Sequence, residues 1–241
     1  GALSEPKRDG RVRKGLSSHY LAAIEPGAPV HVEIKPAGHH LPEDFAGPLL
    51  LVGAGTGLSP LYGMLEDRVA RGVRSGTQNP VGLYFGCRDE SEFLERDKLI
   101  AWRREGHLGR LSVALSRQGS PKAYVQDAID SDGAFVWDML RRPDCRFVIC
   151  GDAKMAQDVE ERLMQILRRE IGDGYASALG LLSAMKSEGR YIEDVWGVQL
   201  NRAIALPEMV RSRYDQGAGW LGRIQQVLTG RLPESGSILK Y

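Results

Sequence analysis

Four short stretches of the chain are mostly apolar: Leu49-Leu50-Leu51-Val52, Val81-Gly82-Leu83-Tyr84-Phe85-Gly86, Leu111-Ser112-Val113-Ala114-Leu115 and Arg146-Phe147-Val148-Ile149-Cys150. Short runs without polar alternation predict strands buried on both faces, as in parallel sheets. Helical periods stand between them. One starts at Leu61 and runs through Leu65 to Glu66, Asp67 and Arg68, with Pro60 fitting its first turn. Others cover Asp97 to Arg104 and start again at Tyr124 to Ile129. A strongly amphipathic helix turns Val159, Leu163, Ile166 and Leu167 inward and Glu160, Glu161, Arg168 and Arg169 outward. Tyr175 to Lys186 predicts one more helix, which Gly189 can end, and Tyr191 to Leu200 a last extended stretch. Upstream, Lys7 to Lys14 reads as a turn or loose arm, and Gly15 to Leu21 as a loop feeding a short helix with a serine cap. Val30, Val32 and Ile34 alternate with His31, Glu33 and Lys35, the period of a half-buried strand. Arg71 to Pro80 is a polar linker.

Strands that alternate with helices imply right-handed crossovers and a parallel sheet covered on both faces. The fold class expected is α/β, a doubly wound sheet of five parallel strands. Ligands of such sheets bind at the carboxyl ends of the strands. The chemistry-bearing residues fall at those ends: Gly53-Ala54-Gly55-Thr56-Gly57 after the first, Cys87-Arg88 after the second, Ser116-Arg117 after the third, Cys150-Gly151-Asp152 after the fourth. Glycines allow a sharp turn and close approach to bare N–H groups, and the helix that follows favours a phosphate. A lone Gly-x-Gly-x-Gly is equally compatible with an ordinary strand-to-helix turn. The coincidence of four such ends favours a ligand site.

Composition narrows the classes. The 241 residues are 42% hydrophobic and 26% charged, ordinary for a soluble globular chain. A net charge of +1 gives no global field toward nucleic acid or membrane. No apolar run approaches a membrane span, and Gly1-Ala2-Leu3-Ser4-Glu5-Pro6 has no signal-peptide order. Cys87, Cys145 and Cys150 show neither a disulfide framework nor metal-ligand spacing, which suits a cytoplasmic compartment. His39 and His40 have no ligand set around them, so no metal is expected.

Several motifs, in order, resemble the C-terminal NADPH-binding module of the diflavin reductases. This group includes NADPH–cytochrome P-450 reductase, the nitric-oxide synthase reductase half and the sulfite reductase flavoprotein, and its nucleotide-binding domain is ferredoxin-NADP reductase-like. Val52-Gly53-Ala54-Gly55-Thr56-Gly57-Leu58-Ser59-Pro60 is similar to the pyrophosphate loop. Leu83 to Arg88 resembles the second strand, and Ser116-Arg117 with Lys122-Ala123-Tyr124-Val125-Gln126 the 2′-phosphate pocket. Cys150-Gly151-Asp152 resembles the loop beside the nicotinamide, and Gly189 to Trp196 the end of the catalytic core. Gly15-Leu16-Ser17-Ser18 looks like the FAD-diphosphate loop, and Val30 to Ile34 like the barrel strand after it.

The resemblance implies three regions: a remnant of an FAD-binding β-barrel over 1–47, an NADP-binding domain over 48–200 and an extension over 201–241. It implies hydride transfer from NADPH to FAD, with electrons passing through FMN to a haem or other acceptor. The implied cofactor contacts are Gly55, Thr56, Gly57, Pro60, Cys87, Arg88, Ser116, Arg117, Lys122, Tyr124, Gln126 and Asp152, with Gly15, Ser17 and Ser18 toward FAD. The implied hydride site is Cys150, Asp194 and Trp196, the last as an aromatic lid on the flavin. Chemistry supports the phosphate end: Arg117 is a permanent, fork-shaped cation, Lys122 a point charge, and Ser116 and Tyr124 carry hydroxyls. The family's FMN domain and most of its barrel lie outside this sequence, so the chain reads as a piece of a longer protein. Tight FAD binding is not expected of it alone. Gly197-Val198-Gln199-Leu200 and Arg202 resemble the start of the nitric-oxide synthase tail, and Trp220, Leu221, Ile224, Val227 and Leu228 have helical spacing. A ferredoxin or flavodoxin reductase, or a nucleotide-binding module without catalysis, are the alternatives.

Overall fold

A computed structural model describes residues 4–6, 11–33, 41–119, 121–172, 175–197 and 238–240. The chain divides into two compact units, Gly1–Gly38 and His39–Tyr241. His39, His40 and the helical spacing at Trp220 to Leu228 lie outside the described residues, as do Gln199, Leu200 and Arg202.

In the first unit, β1 (Ser4–Pro6) and β2 (Val12–Lys14) pair antiparallel, so the end of the expected loose arm is a strand. The helix α1 (Leu16–Ala23) follows, and none of its residues is buried. Its cap is Gly15, not a serine: the Ser18 hydroxyl donates to the Gly15 carbonyl at 3.3 Å instead. The alternation at Val30 does not become a strand. Residues 30–33 are irregular and Val32 is 80% exposed, while Ile34 lies outside the described residues. Period-2 spacing makes a strand only where a neighbour pairs with it and an apolar face receives it.

The second unit is a six-stranded sheet between helices. Its strands are β3 (Leu49–Ala54), β4 (Val81–Cys87), β5 (Arg110–Leu115), β6 (Arg146–Asp152), β7 (Tyr191–Trp196) and β8 (Ile238–Lys240). Their order is β7-β6-β3-β4-β5-β8. The first five are mutually parallel, as expected; β8 adds an antiparallel edge beside β5. The helices are α2 (Leu58–Ala70), α3 (Arg96–Arg104), α4 (Val125–Ser131), α5 (Gly133–Leu140), α6 (Ala153–Ile171) and α7 (Tyr175–Ser187).

Both faces of the sheet are covered, and strand alternation sorts the apolar residues between two cores. Leu49, Leu51, Leu83, Phe85, Val113 and Cys150 pack with Leu58, Leu61 and Leu65 of α2 and Leu99 and Trp102 of α3. Leu50, Val52, Tyr84, Phe147 and Ile149 pack on the other face with α4, α5, α6 and α7. The unperiodic apolar runs therefore mean what their pattern says: no face of β3, β4 or β6 meets water over most of its length.

Two buried charges pin the unit's periphery. Arg68, 2% exposed, donates to the carbonyls of Phe45 at 3.2 Å, Ala46 at 3.2 Å and Gly47 at 3.1 Å. Burial, and then the neighbouring Arg71, lower its pKa to about 10. Residues 45–47, assigned from the sequence to the barrel remnant, are thus tied to α2. Asp132, between α4 and α5, accepts from Tyr84 Oη at 3.3 Å and from Lys240 Nζ at 2.9 Å, with Arg110 at 3.6 Å. Lys240 sits on the last strand, so a buried carboxylate holds β8 to the sheet.

Candidate functional site

Strand order places the chemistry-bearing ends side by side. Going from β7 to β5, the carboxyl edge carries Asp194 and Trp196, then Cys150-Gly151-Asp152, then the glycine loop, then Cys87-Arg88, then Ser116-Arg117. Adjacent strands lie about 4.8 Å apart, so these five ends span about 19 Å. The chain runs outward from β3 to β4 and β5, then returns to β6 on the other side of β3. The glycine loop therefore stands at the switch point, where the crevice of a doubly wound sheet opens.

The loop is a short 3₁₀ turn, Gly55–Gly57, leading directly into α2. Gly55 has φ +56° and faces open space, a conformation that favours glycine and leaves its N–H reachable. Thr56 is exposed beside it, and Pro60 lies in the first turn of α2. Gly57 is required by packing: an added Cβ would stand 2.1 Å from the Cys150 carbonyl oxygen. Gly151 is less constrained: a Cβ there would meet Met155 Cε at 2.1 Å, but that is the far end of a flexible side chain. The Gly57 approach seats the loop on the end of β6. Met155 has no signal of its own in the sequence, where Gly151 stands out only as part of Cys150-Gly151-Asp152.

At the β6–β7 end, Cys150 and Asp194 are register partners, and Cys150 Sγ donates to Asp194 Oδ2 at 3.8 Å. Burial first, then Asp194, push the Cys150 thiol up to about 12. It is a neutral S–H donor near neutral pH, not a thiolate. Asp152 accepts from the Met155 N–H at 3.0 Å and caps α6, opposite Trp196 across the ladder. Trp196, the last residue of β7, is 46% exposed.

At the β4–β5 end, the ladder continues past both strands: Ser116 N–H donates to the Cys87 carbonyl at 2.9 Å and Arg117 N–H to the Arg88 carbonyl at 2.7 Å. The two arginines are thereby neighbours, and both are exposed. Lys122 and Tyr124, also exposed, stand on the stretch that leads from Arg117 into α4. The Tyr124 N–H donates to Asp127 Oδ2 at 2.8 Å, and Gln126 is the second residue of α4. Burial, then Asp89, raise the Cys87 thiol to about 11, so it too is a neutral group at the base of this edge. Gly15, Ser17 and Ser18 belong to the other unit, at the start of α1.

Among the described residues no cluster of histidine, cysteine or carboxylate could hold a metal, and no helix is long and apolar enough to cross a membrane. The residues fit a phosphate-bearing dinucleotide: loop N–H groups at a helix start, and Arg88, Arg117 and Lys122 together at the β4–β5 end.

Comparison with known proteins agrees with that geometry. Residues 51–161 match the family described as an oxidoreductase NAD-binding domain. The chain is 36% identical over 199 residues to a nitric oxide synthase-like protein of Bombyx mori, covering 81% of this chain and 18% of that protein. It is 35% identical over 198 residues to the sulfite reductase [NADPH] flavoprotein alpha-component of Shewanella sp. (strain MR-7), covering 81% and 32%. Identity to the NADPH–cytochrome P450 reductase of Bos taurus is 30% over 203 residues, covering 81% and 30%. The chain thus spans less than a third of the length of these relatives.

Proposed function

The chain belongs to the diflavin reductases as their nucleotide-binding module, and from that premise we propose that it lays NADP(H) along the carboxyl edge of its sheet and presents the nicotinamide to FAD. The observation that carries this reading is the row of five strand ends, with Arg88, Arg117 and Lys122 together at the β4–β5 end. Gly55, Thr56 and Gly57 with the start of α2 hold the pyrophosphate; Pro60 keeps that turn in place. Ser116, Arg117, Lys122 and Tyr124 hold the 2′-phosphate, with Arg88, Cys87 and Gln126 around them. A phosphate there selects NADPH over NADH, because the unphosphorylated ribose leaves these donors unpaired.

When bound, NADPH supplies the hydride and FAD accepts it. The chain's own contribution is position and polarity. The neutral Cys150 thiol offers its weak donor beside the ring and is oriented by Asp194. Asp152 fixes the start of α6 next to them. Trp196 offers an aromatic face that stacks on the flavin until the nicotinamide takes its place, a contact of about 1 kcal/mol. Gly15, Ser17 and Ser18, at the start of α1, are the proposed contacts to an FAD diphosphate. With an FMN domain beside it, the flavin so reduced would supply electrons singly to a haem or other acceptor.

The test is stopped-flow reduction of the flavin in a longer polypeptide that includes the whole flavin barrel. Cys150→Ala and Asp194→Asn should slow reduction by NADPH while leaving NADPH affinity nearly intact, the mark of lost transition-state stabilisation. Unchanged rates in both variants would make these residues structural.

A further inference from the structure

The two arginines at the β4–β5 end are not equivalent. Arg117 has no carboxylate partner among the described residues, whereas the Arg88 guanidinium is ion-paired with Glu92. The pairing is built in. After β4 the chain makes a 3₁₀ turn, Glu90–Glu92, in which Asp89 Oδ1 accepts from the Ser91 N–H at 3.0 Å and the Ser91 hydroxyl at 2.5 Å. The Glu92 N–H donates to the Asp89 carbonyl at 3.1 Å. This turn swings the Glu92 side chain back onto Arg88. One carboxylate oxygen pairs with the guanidinium, and the other accepts the Arg88 backbone N–H at 3.3 Å.

We propose that Glu92 is a resident counter-ion that occupies Arg88 in place of a nucleotide phosphate, and so sets both the affinity for NADP(H) and the ease of its release. This rests on the nucleotide reading above. Arg88 is 55% exposed at its side chain and Glu92 32%, so the pair can open without disturbing the core. Its Coulomb term is modest for the same reason. An incoming phosphate must take Arg88 from Glu92 and then tolerate the released carboxylate nearby. Arg117, with no carboxylate partner among the described residues, is the constitutive phosphate ligand. Glu92 thereby lowers affinity at one arginine and leaves recognition to the other.

The test is calorimetric titration of this chain with 2′,5′-ADP and with NADP⁺, for the unmutated protein, Glu92→Gln, Arg88→Ala and the double variant. Glu92→Gln should tighten binding by about two- to five-fold, the range that an exposed pair supports. The gain should vanish when Arg88 is already alanine. Unchanged or weaker binding in Glu92→Gln overturns the proposal, and so does an equal gain without Arg88, which would make Glu92 only a general negative charge. Glu92→Asp, which keeps the charge but shortens its reach, should tighten binding less than Glu92→Gln, and melting curves of each variant check that the turn is intact. Failure of the unmutated chain to bind 2′,5′-ADP would instead defeat the nucleotide reading itself.

Discussion

Single atoms decide how the glycine loop meets the sheet. Gly57 lies so close to the Cys150 carbonyl that a methyl group has no room, and the obstacle is backbone rather than a side chain that can swing away. Gly57→Ala must push the loop off β6. The expected cost is about 1–3 kcal/mol of stability in urea unfolding. Binding of 2′,5′-ADP should fall as well, because the loop N–H groups move with it. Gly63 serves as the control: it lies in α2 with open space at its Cβ, so Gly63→Ala should be neutral or stabilising. Equal effects at the two positions would show that the loop is not held by this contact. The glycines themselves were legible in the sequence. Which of them is needed for φ (Gly55) and which for a close approach (Gly57) was not, because that depends on the end of β6, distant in the chain.

At the level of elements, the strands that announced themselves were those buried on both faces. β3, β4, β5 and β6 read as apolar runs because helices cover both sides of the sheet. Two short elements behaved oppositely. Val30 to Ile34 has a strand's period, but its described part, 30–33, forms no strand, since alternation is local and ladder pairing is not. Ile238–Lys240 has three residues, too few for any period, yet it forms the sheet's edge because Lys240 reaches Asp132. Lys240→Met should therefore cost on the order of 1–2 kcal/mol in urea unfolding, leaving Asp132 with Tyr84 and the more distant Arg110. Amide exchange should rise along Ser112 to Ala114, the β5 residues that β8 covers. An exchange pattern identical to the unmutated chain would mean that β8 is held by its backbone alone. The phosphate ligands proposed on loops, Lys122 and Tyr124, rest on motif resemblance and the chemistry of their side chains, because no periodicity marks a phosphate ligand.

On the scale of the whole molecule, the buried thiols give the fold a pH limit. Burial, aided by neighbouring carboxylates, raises Cys87, Cys145 and Cys150 from 9.0 to about 11, 12 and 12. An unfolded chain releases these protons near 9, whereas the folded one keeps them. Their contribution to stability is thus complete below about pH 9 and is lost as pH rises toward 11–12. The melting temperature should fall across this window, and Cys145→Ala should flatten part of the fall; a slope unchanged in that variant would assign it to other groups. The central claim is that the sheet's carboxyl edge is a dinucleotide site with a phosphate-selective end. Calorimetry of NADPH against NADH on this chain, repeated with Arg117→Ala, tests it most directly. A charged hydrogen bond contributes roughly 1.5–3 kcal/mol, so the unmutated chain should prefer NADPH by about ten-fold or more, and Arg117→Ala should remove most of that preference. Equal binding of the two nucleotides by the unmutated chain would contradict the account.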